Sequence, residues 1–420
     1  MRVKIEKLVF GGPGLGHLPN GQAVFVWNAL PGEEVEFSLL KKKRDYQEGV
    51  ATAIYQPSSQ RLAPREGHFL SCSPWQILSP EGENEWKVKI ATEVFQKQAN
   101  FSWDWQLTAA PEDFGYRNKI EYSFAEEGDG IKLAFFRRGQ KQREPLVGCA
   151  LSQPVINRVA ESILLWINKE KIPLRSLKSL IIRTGQPNQA LAALFIKDRL
   201  LFDSWPEIDQ ELIGFKLYYS THKCPAAVPT ELLITQGPEY LEGLINQTRL
   251  RFGLLSFFQI NQPVFVQALA DIGRFLDKER SALDFYCGVG SISLPLADQA
   301  RDWVLVESNE EASEYAQENI HLNRIGNCRV ECAPAEKMIQ LIDAEKTLVV
   351  DPPRSGLHPK VLRSVLEQKP PQVMYLSCDL ATQARDLAQF LPAYEPVFAR
   401  LYNFFPRTPH VESLVILKKK

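Results

Sequence analysis

The sequence predicts an α/β protein in three parts: a small OB-like N-terminal β-barrel over 1–58, a central α+β region over 59–255, and a C-terminal Rossmann-like domain over 256–420. Three observations carry this. Short apolar runs broken by Gly-Gly-Pro-Gly, Pro-Asn-Gly and Pro-Gly-Glu fill the first part. Basic and aromatic residues interleave in the second. In the third, strand-like and helix-like stretches alternate, which implies a parallel sheet covered on both faces. At 420 residues the chain exceeds one average domain.

Composition narrows the function classes. With 45% hydrophobic and 24% charged residues and a net charge of -1, the chain is ordinary globular material and no uniformly basic nucleic-acid binder, which leaves room for local basic patches. The charged N-terminus "MRVKIEKLVFGG" and the lack of an apolar run of about 18 residues predict a cytoplasmic protein without membrane contact. Seven cysteines (72, 149, 224, 287, 328, 332 and 378), scattered along a long chain, read as reduced thiols and not as a secreted disulfide framework.

Strands of about five residues between tight turns predict an antiparallel barrel in the first part. Its Gly-rich first turn and "AVFVWNALPGEEVEF" resemble a TRAM domain, an RNA-binding barrel. "KKKR" at 41–44 places four positive charges on a hairpin edge, where they serve either RNA phosphates or the protection of an edge strand. After the Pro/Ser/Gln-rich link "YQPSSQRLAPREG", helical spacing over 81–100 puts Trp86, Ile90 and Phe95 on one side. "FGYRNKIEYSF" and "LAFFRRGQKQR" fit either a base-stacking surface or ordinary cross-strand pairing. Helices are then expected at 262–276, 291–299 and 309–323, and strands at 281–286, 302–307 and 347–351.

"ALDFYCGVGSISLPLA" reads as a buried strand, a Gly-rich turn and a helix start. Gly288 and Gly290 permit the turn, but Ser293 stands where a dinucleotide fingerprint has its third glycine. Glu307 ends the next strand, placed to accept hydrogen bonds from both ribose hydroxyls of an adenosine. The pairing fits S-adenosylmethionine, which brings no phosphate to cradle. "TLVVDPPRSGL" then puts Asp351 at a strand end before two prolines. An amino-methyltransferase would want an aromatic residue where Arg354 stands.

One strand later, "QVMYLSCDLATQARDL" places Cys378 at the same carboxyl edge. Carbon 5 of a pyrimidine is a poor nucleophile until a thiolate adds to carbon 6 and generates an enolate. A free thiol titrates near 8.5, so activation calls for local positive potential, and the helix start after Cys378 offers it. The final elimination needs a base. "NFFPRTPHVESLVIL" offers His410 and Glu412, of which a desolvated carboxylate suits abstraction next to an enolisable carbonyl.

In their order, "SFFQINQPV", "LDFYCGVGSISLPLA", "LVVDPPRSGL", "YLSCDLATQARDL" and "FPRTPHVESLVIL" resemble the RNA uracil-5-methyltransferase family, in its TRAM-containing branch that includes 23S rRNA enzymes. The resemblance implies Cys378 as nucleophile and Glu412 as proton acceptor. It places Gln259, Tyr286, Ser291, Glu307 and Asp351 around S-adenosylmethionine, Ser291 standing where many relatives have Asn. Phe257 is implied as the aromatic stacked on a flipped uracil, with Asp351 nearby. Many relatives hold an iron-sulfur cluster on a C-x5-C-x2-C run and a later cysteine; here only Cys72 and Cys149 remain, too few for four positions, so no metal is expected.

The expected partner is RNA, 23S rRNA ahead of tRNA, and the expected state a monomer. Two rivals remain. One is an N-methyltransferase using Asp351-Pro352-Pro353, and the other an RNA-binding or folding factor with an idle methylation site. Cytosine-5 chemistry would want a second thiol within the D-P-P motif.

Overall fold

The computed structural model describes every residue except Asp129, Pro187 and Ala226. Strands β1 (Arg2–Leu8), β2 (Gly14–His17), β3 (Ala23–Trp27), β4 (Glu34–Lys42) and β5 (Tyr46–Ile54) close into a barrel in the order β1-β2-β3-β5-β4. Alternation with period two turns Val3, Ile5, Val24, Val26, Val35 and Phe37 into its core. Closure leaves no free edge, so the 41–44 basic run is not on an edge strand as the sequence implied. It sits exposed at the tip of the β4–β5 hairpin, with Lys41 3.8 Å from Glu48. Buried Glu33 receives both guanidinium arms of Arg61, at 2.6 and 2.7 Å, which ties the following link to the barrel.

Helices α1 (Phe69–Cys72) and α2 (Pro80–Ala99) and the short β6 (Leu107–Thr108) follow. Next come β7 (Lys119–Glu127), β8 (Gly130–Phe136), β9 (Arg143–Leu146), α3 (Pro154–Lys169), β10 (Leu177–Thr184), β11 (Ala190–Ile196), β12 (Leu212–Tyr219) and β13 (Glu231–Gln236). These strands form one sheet in the order β13-β12-β11-β10-β7-β8-β9, and only the β11–β12 pair is parallel. Of the two readings left open for "FGYRNKIEYSF", cross-strand packing wins for Tyr122 and Phe124, which are buried. Phe136 faces outward, and Arg138 lies 4.0 Å above the Trp27 ring.

The last part adds a hairpin, β14 (Tyr240–Ile245) and β15 (Thr248–Gly253), then α4 (Gln262–Gly273), β16 (Ala282–Phe285), β17 (Trp303–Glu307), α5 (Glu310–Leu322), β18 (Cys328–Cys332), β19 (Thr347–Val350), α6 (Pro359–Gln368), β20 (Gln372–Ser377), α7 (Leu380–Phe390), β21 (Tyr394–Tyr402) and β22 (Glu412–Lys419). The sheet runs β18-β17-β16-β19-β20-β22-β21-β6. From β18 to β20 every pair is parallel, and β22 enters antiparallel to β20 and β21. The parallel strands are continuous apolar runs because helices cover both faces. The chain steps outward from β16 through β17 to β18 and then returns to β19 on the other side. The crevice at the carboxyl ends of β16 and β19 is therefore the switch point where open α/β sheets bind ligands.

The helix expected at 291–299 is instead a turn followed by a 3₁₀ segment, Leu294–Gln299. Pro295 lies in its first turn and Leu296 departs from helical geometry, at φ -113° and ψ 17°.

By compactness the chain divides in two. One unit comprises Met1–Trp86, Glu112–Leu241 and Pro406–Pro409; the other comprises Lys87–Pro111, Glu242–Phe405 and His410–Lys420. The barrel and the β13–β9 sheet thus share a unit, and the four residues Pro406–Pro409 belong with them. There the buried Arg407 adopts left-handed backbone, φ 64°. Its N–H donates to Glu83 Oε2 at 2.9 Å, Nη1 donates to the Leu78 carbonyl at 2.7 Å, and its guanidinium pairs with Asp113. No described helix is long and apolar enough to cross a membrane.

Candidate active site

Strand register assembles the site. Ser377 of β20 stands opposite Ser413 of β22, so the residues one step out, Cys378 and Glu412, meet at the carboxyl edge. Val350 pairs with Phe285 and with Tyr375, which sets Asp351 between the ends of β16 and β20. Phe285 also pairs with Val306, bringing Tyr286 beside Glu307. Gln383 of α7 fastens the Cys378–Glu412 edge: its Nε2 donates to the carbonyls of Tyr375 at 2.8 Å and Ser413 at 3.2 Å, and its Oε1 accepts from the Ser413 hydroxyl.

Around the Gly turn, Glu307 Oε2 accepts the Gly288 N–H at 3.0 Å and Oε1 accepts that of Asn309 at 2.8 Å. Gly288 has φ +57°, and a Cβ built there would meet only open space. That is room for a ligand against the backbone. Tyr286 also has positive φ, 67°, and its hydroxyl accepts the His358 N–H at 3.5 Å. Buried Gln259 donates to Asp351 Oδ2 at 3.4 Å, and Ser291 is buried in the same turn.

Carboxylates dominate the electrostatics. Burial pushes Asp284 up to about 7, helped by the charge of Glu307. Burial and the charge of Asp284 do the same to Asp351, also to about 7. Glu412 is raised well above its ordinary value by burial first and Asp351 second, while Arg354 opposes. Ser293 opposes the shift of Asp284, whereas Oε2 of Glu412 has no hydrogen-bond partner among the described residues. Such a set of mutually repelling acids favours a cationic ligand.

Cys378 departs from expectation in one respect. The helix start after it does not lower its pKa: burial, then the charges of Glu412 and Asp351, push the thiol up to about 12, and only Arg354 opposes them. The positive end of α7 is already matched by its cap, Asp379, whose side chain accepts the Thr382 N–H at 2.9 Å.

Phe257 and Phe258 divide the roles that sequence alone left mixed. Phe258 is buried and stacks on Phe252 with centroids 4.0 Å apart, whereas Phe257 is 65% exposed. His410 packs its ring edge-on to Phe405, centroids 6.0 Å apart. A cleft of about 780 Å³ lined by Glu336, Leu357, His358, Arg363 and Arg385 shares Tyr286 with the predicted cofactor residues.

The family described as tRNA (uracil-5-)-methyltransferase matches residues 84–420, and the TRAM domain matches 1–52. The chain belongs to the tRNA (uracil-5-)-methyltransferase family. An uncharacterized RNA methyltransferase of Gloeobacter violaceus is 30% identical to it, over 99% of this chain and 96% of that one. Another from Thermotoga maritima is 26% identical over 100% and 99%. Among solved structures, the Pyrococcus abyssi tRNA (uracil-54, C5)-methyltransferase in complex with S-adenosyl-L-homocysteine superposes with a TM-score of 0.80 at 24% identity, covering 99% of this chain and 100% of that one. Family membership makes the chain an RNA methyltransferase with a TRAM barrel and a Rossmann-like domain.

Within this family fold, three contributors escaped the sequence reading. Asp284 was visible as the acid near the end of an apolar strand but was given no place in the site. Arg354 was noted as a departure from an aromatic and not as a charge beside Cys378. Gln383 carried no signal, since its two carbonyl partners are brought together only by pairing of β20 with β22.

Proposed function

We propose that the chain methylates carbon 5 of a uridine in RNA, with 23S rRNA as first substrate, acting as a cytoplasmic monomer. The observation that carries the proposal is Cys378 opposite Glu412 at the carboxyl edge of the sheet. We assign 1–58 and 59–255 to RNA binding and 256–420 to catalysis. A tRNA substrate is the second reading, favoured by the activity named for the Pyrococcus abyssi neighbour.

The residues fit S-adenosylmethionine. Buried Asp284, the open side of Gly288 and the Glu307 carboxylate would form an acidic cradle for an adenosine that carries a sulfonium, with Gln259, Tyr286, Ser291 and Asp351 around it. When bound, this cofactor supplies an electrophilic methyl group. The thiol of Cys378 gives its proton to Asp351, which leaves Glu412 free as base, and the sulfur adds to carbon 6 as the carbon 5–carbon 6 double bond opens toward carbon 5. After carbon 5 has accepted the methyl group, Glu412 removes the proton there, the ring double bond re-forms and the carbon–sulfur bond breaks. A carboxylate of raised pKa is the stronger base for this step.

Cofactor affinity should follow pH. Asp284 and Asp351 are protonated below about 7, and a cationic ligand binds their charged forms. Each proton released on binding lowers Kd about tenfold per pH unit on the acid side. Titration calorimetry at stepped pH checks this, and a flat Kd across that range rejects the acidic cradle.

Phe257→Ala should lower kcat/KM for RNA roughly 5- to 150-fold, the loss of one base stack, while leaving thermal stability unchanged. Phe258→Ala should instead cost about 3–5 kcal/mol of stability. Equal RNA turnover by the Phe257 variant and wild type would remove Phe257 from the substrate site.

The deciding experiment is tritium release from carbon-5-labelled uridine in a 23S rRNA transcript, run beside a tRNA transcript. Release from the first supports the whole proposal, and release from tRNA alone moves the substrate. Methylation with tritium retained favours the N-methyltransferase rival.

A further inference from the structure

Far along the sequence from Cys378, one cluster takes no part in methyl transfer. Glu66, His68, Cys72 and Cys149 bring one ligand atom each to within 4.8 Å of one another. His68 and Cys149 are buried, and Glu66 and Cys72 nearly so. Three of the four lie on the short stretch leading into and through α1, and the fourth lies in the loop ahead of α3. His68 Nε2 is buried and lies 3.3 Å from Glu66 Oε1, and the ring also interacts with Cys149. A buried imidazole, two thiols and a carboxylate converging on one point from two chain segments is an arrangement that a cation completes.

We propose that these four residues hold one zinc ion in a closed, structural site. Two thiolates, an imidazole and a carboxylate form a mixed sulfur, nitrogen and oxygen set suited to tetrahedral zinc. Bonds of the usual lengths place the ligands of one tetrahedral zinc about 3.3–3.8 Å apart, so the four groups, now within 4.8 Å of one another, would draw in by about an ångström at most. An iron-sulfur cluster spreads its ligands over different irons and wants thiolates at four positions. The sequence expectation of no metal counted cysteines alone and passed over Glu66 and His68.

Surrounding groups support the assignment. The Glu66 carboxylate is oriented by the Ala150 N–H at 2.5 Å and by Gln76 Nε2 at 2.9 Å, and Gln76 also donates to Ser73 at 2.7 Å. Asn157 accepts the Cys149 N–H at 3.0 Å and donates to the Cys149 carbonyl at 3.2 Å, fixing that loop. Such outer partners are what hold metal ligands in place. Binding requires both thiols deprotonated and the imidazole neutral, and leaves the ion with its three anionic ligands at a net charge of one minus. The positive charges of Arg117 and Arg138 act on the cysteines and offset it. Arg138 is held there by donating to the Leu70 carbonyl at 2.6 Å. The ion would clip α1 to the loop before α3 within one compact unit.

Full-length protein, purified anaerobically from zinc-supplemented cells, is expected to carry about one zinc per chain. Replacement by cobalt should give tetrahedral d–d bands and a thiolate-to-cobalt charge-transfer band. Cys149→Ser and His68→Ala should each lower zinc content by more than about tenfold. Should either variant fail to fold, the cobalt spectrum of the wild type and the zinc content of the milder Glu66→Gln decide. Iron with acid-labile sulfide, protein without metal, a Cys72–Cys149 disulfide, or cobalt bound without a charge-transfer band each overturns the proposal.

Discussion

Cys378→Ala lowers carbon-5 methylation by on the order of 10⁴-fold or more, because no other group can open the uracil ring to attack. Cys378 is only partly buried, and the edge around it is held by Gln383. The variant should therefore keep its fold and bind S-adenosylmethionine about as well as the wild type, since Cys378 is held protonated by burial and adds no charge to the cofactor cradle. Calorimetry for binding and tritium release for chemistry separate the two effects. Residual turnover within tenfold of wild type would leave Cys378 incidental and return the D-P-P motif to contention.

Glu412→Gln should stop the reaction one step later. Methyl transfer proceeds, the carbon-5 proton stays, and the RNA remains bonded to Cys378 as a methylated adduct, with turnover about 10²- to 10⁴-fold slower. A slow-migrating gel band carrying labelled methyl shows it, and a fully active variant sinks the assignment. Stability gives a separate check with a defined sign. The folded pKa of Glu412 is raised, so its contribution to stability is complete below the ordinary value of 4.5 and is lost as pH rises through the folded pKa. Gln does not titrate, and the variant should therefore gain on the wild type as pH rises above 4.5.

Why Cys378, Asp351 and Glu307 could be read from sequence is plain: each follows an apolar run of strand length, and parallel sheets deliver such residues to one edge. The same rule located Gly288 and the switch-point crevice. It could not give register, on which the meeting of Cys378 with Glu412 depends, nor predict that a carboxylate cap would cancel the helix end beside the thiol. Burial is equally silent in sequence. Phe257 and Phe258 are identical letters, and only packing on Phe252 tells them apart. At Cys72 the sequence pointed to the pair with Cys149 but not to His68 and Glu66, which only folding brings beside the two thiols.

Pro406–Pro409 has a consequence for inheritance. These residues belong to the compact unit of the barrel and the β13–β9 sheet, yet Glu412 follows only a few positions later in the chain. Genetic exchange that cut at the end of the central region would deliver a catalytic segment whose final loop had lost Glu83, Leu78 and Asp113, the partners of Arg407. Grafting a different first part onto residues 256–420 would therefore require carrying a matching socket for Arg407 along with it.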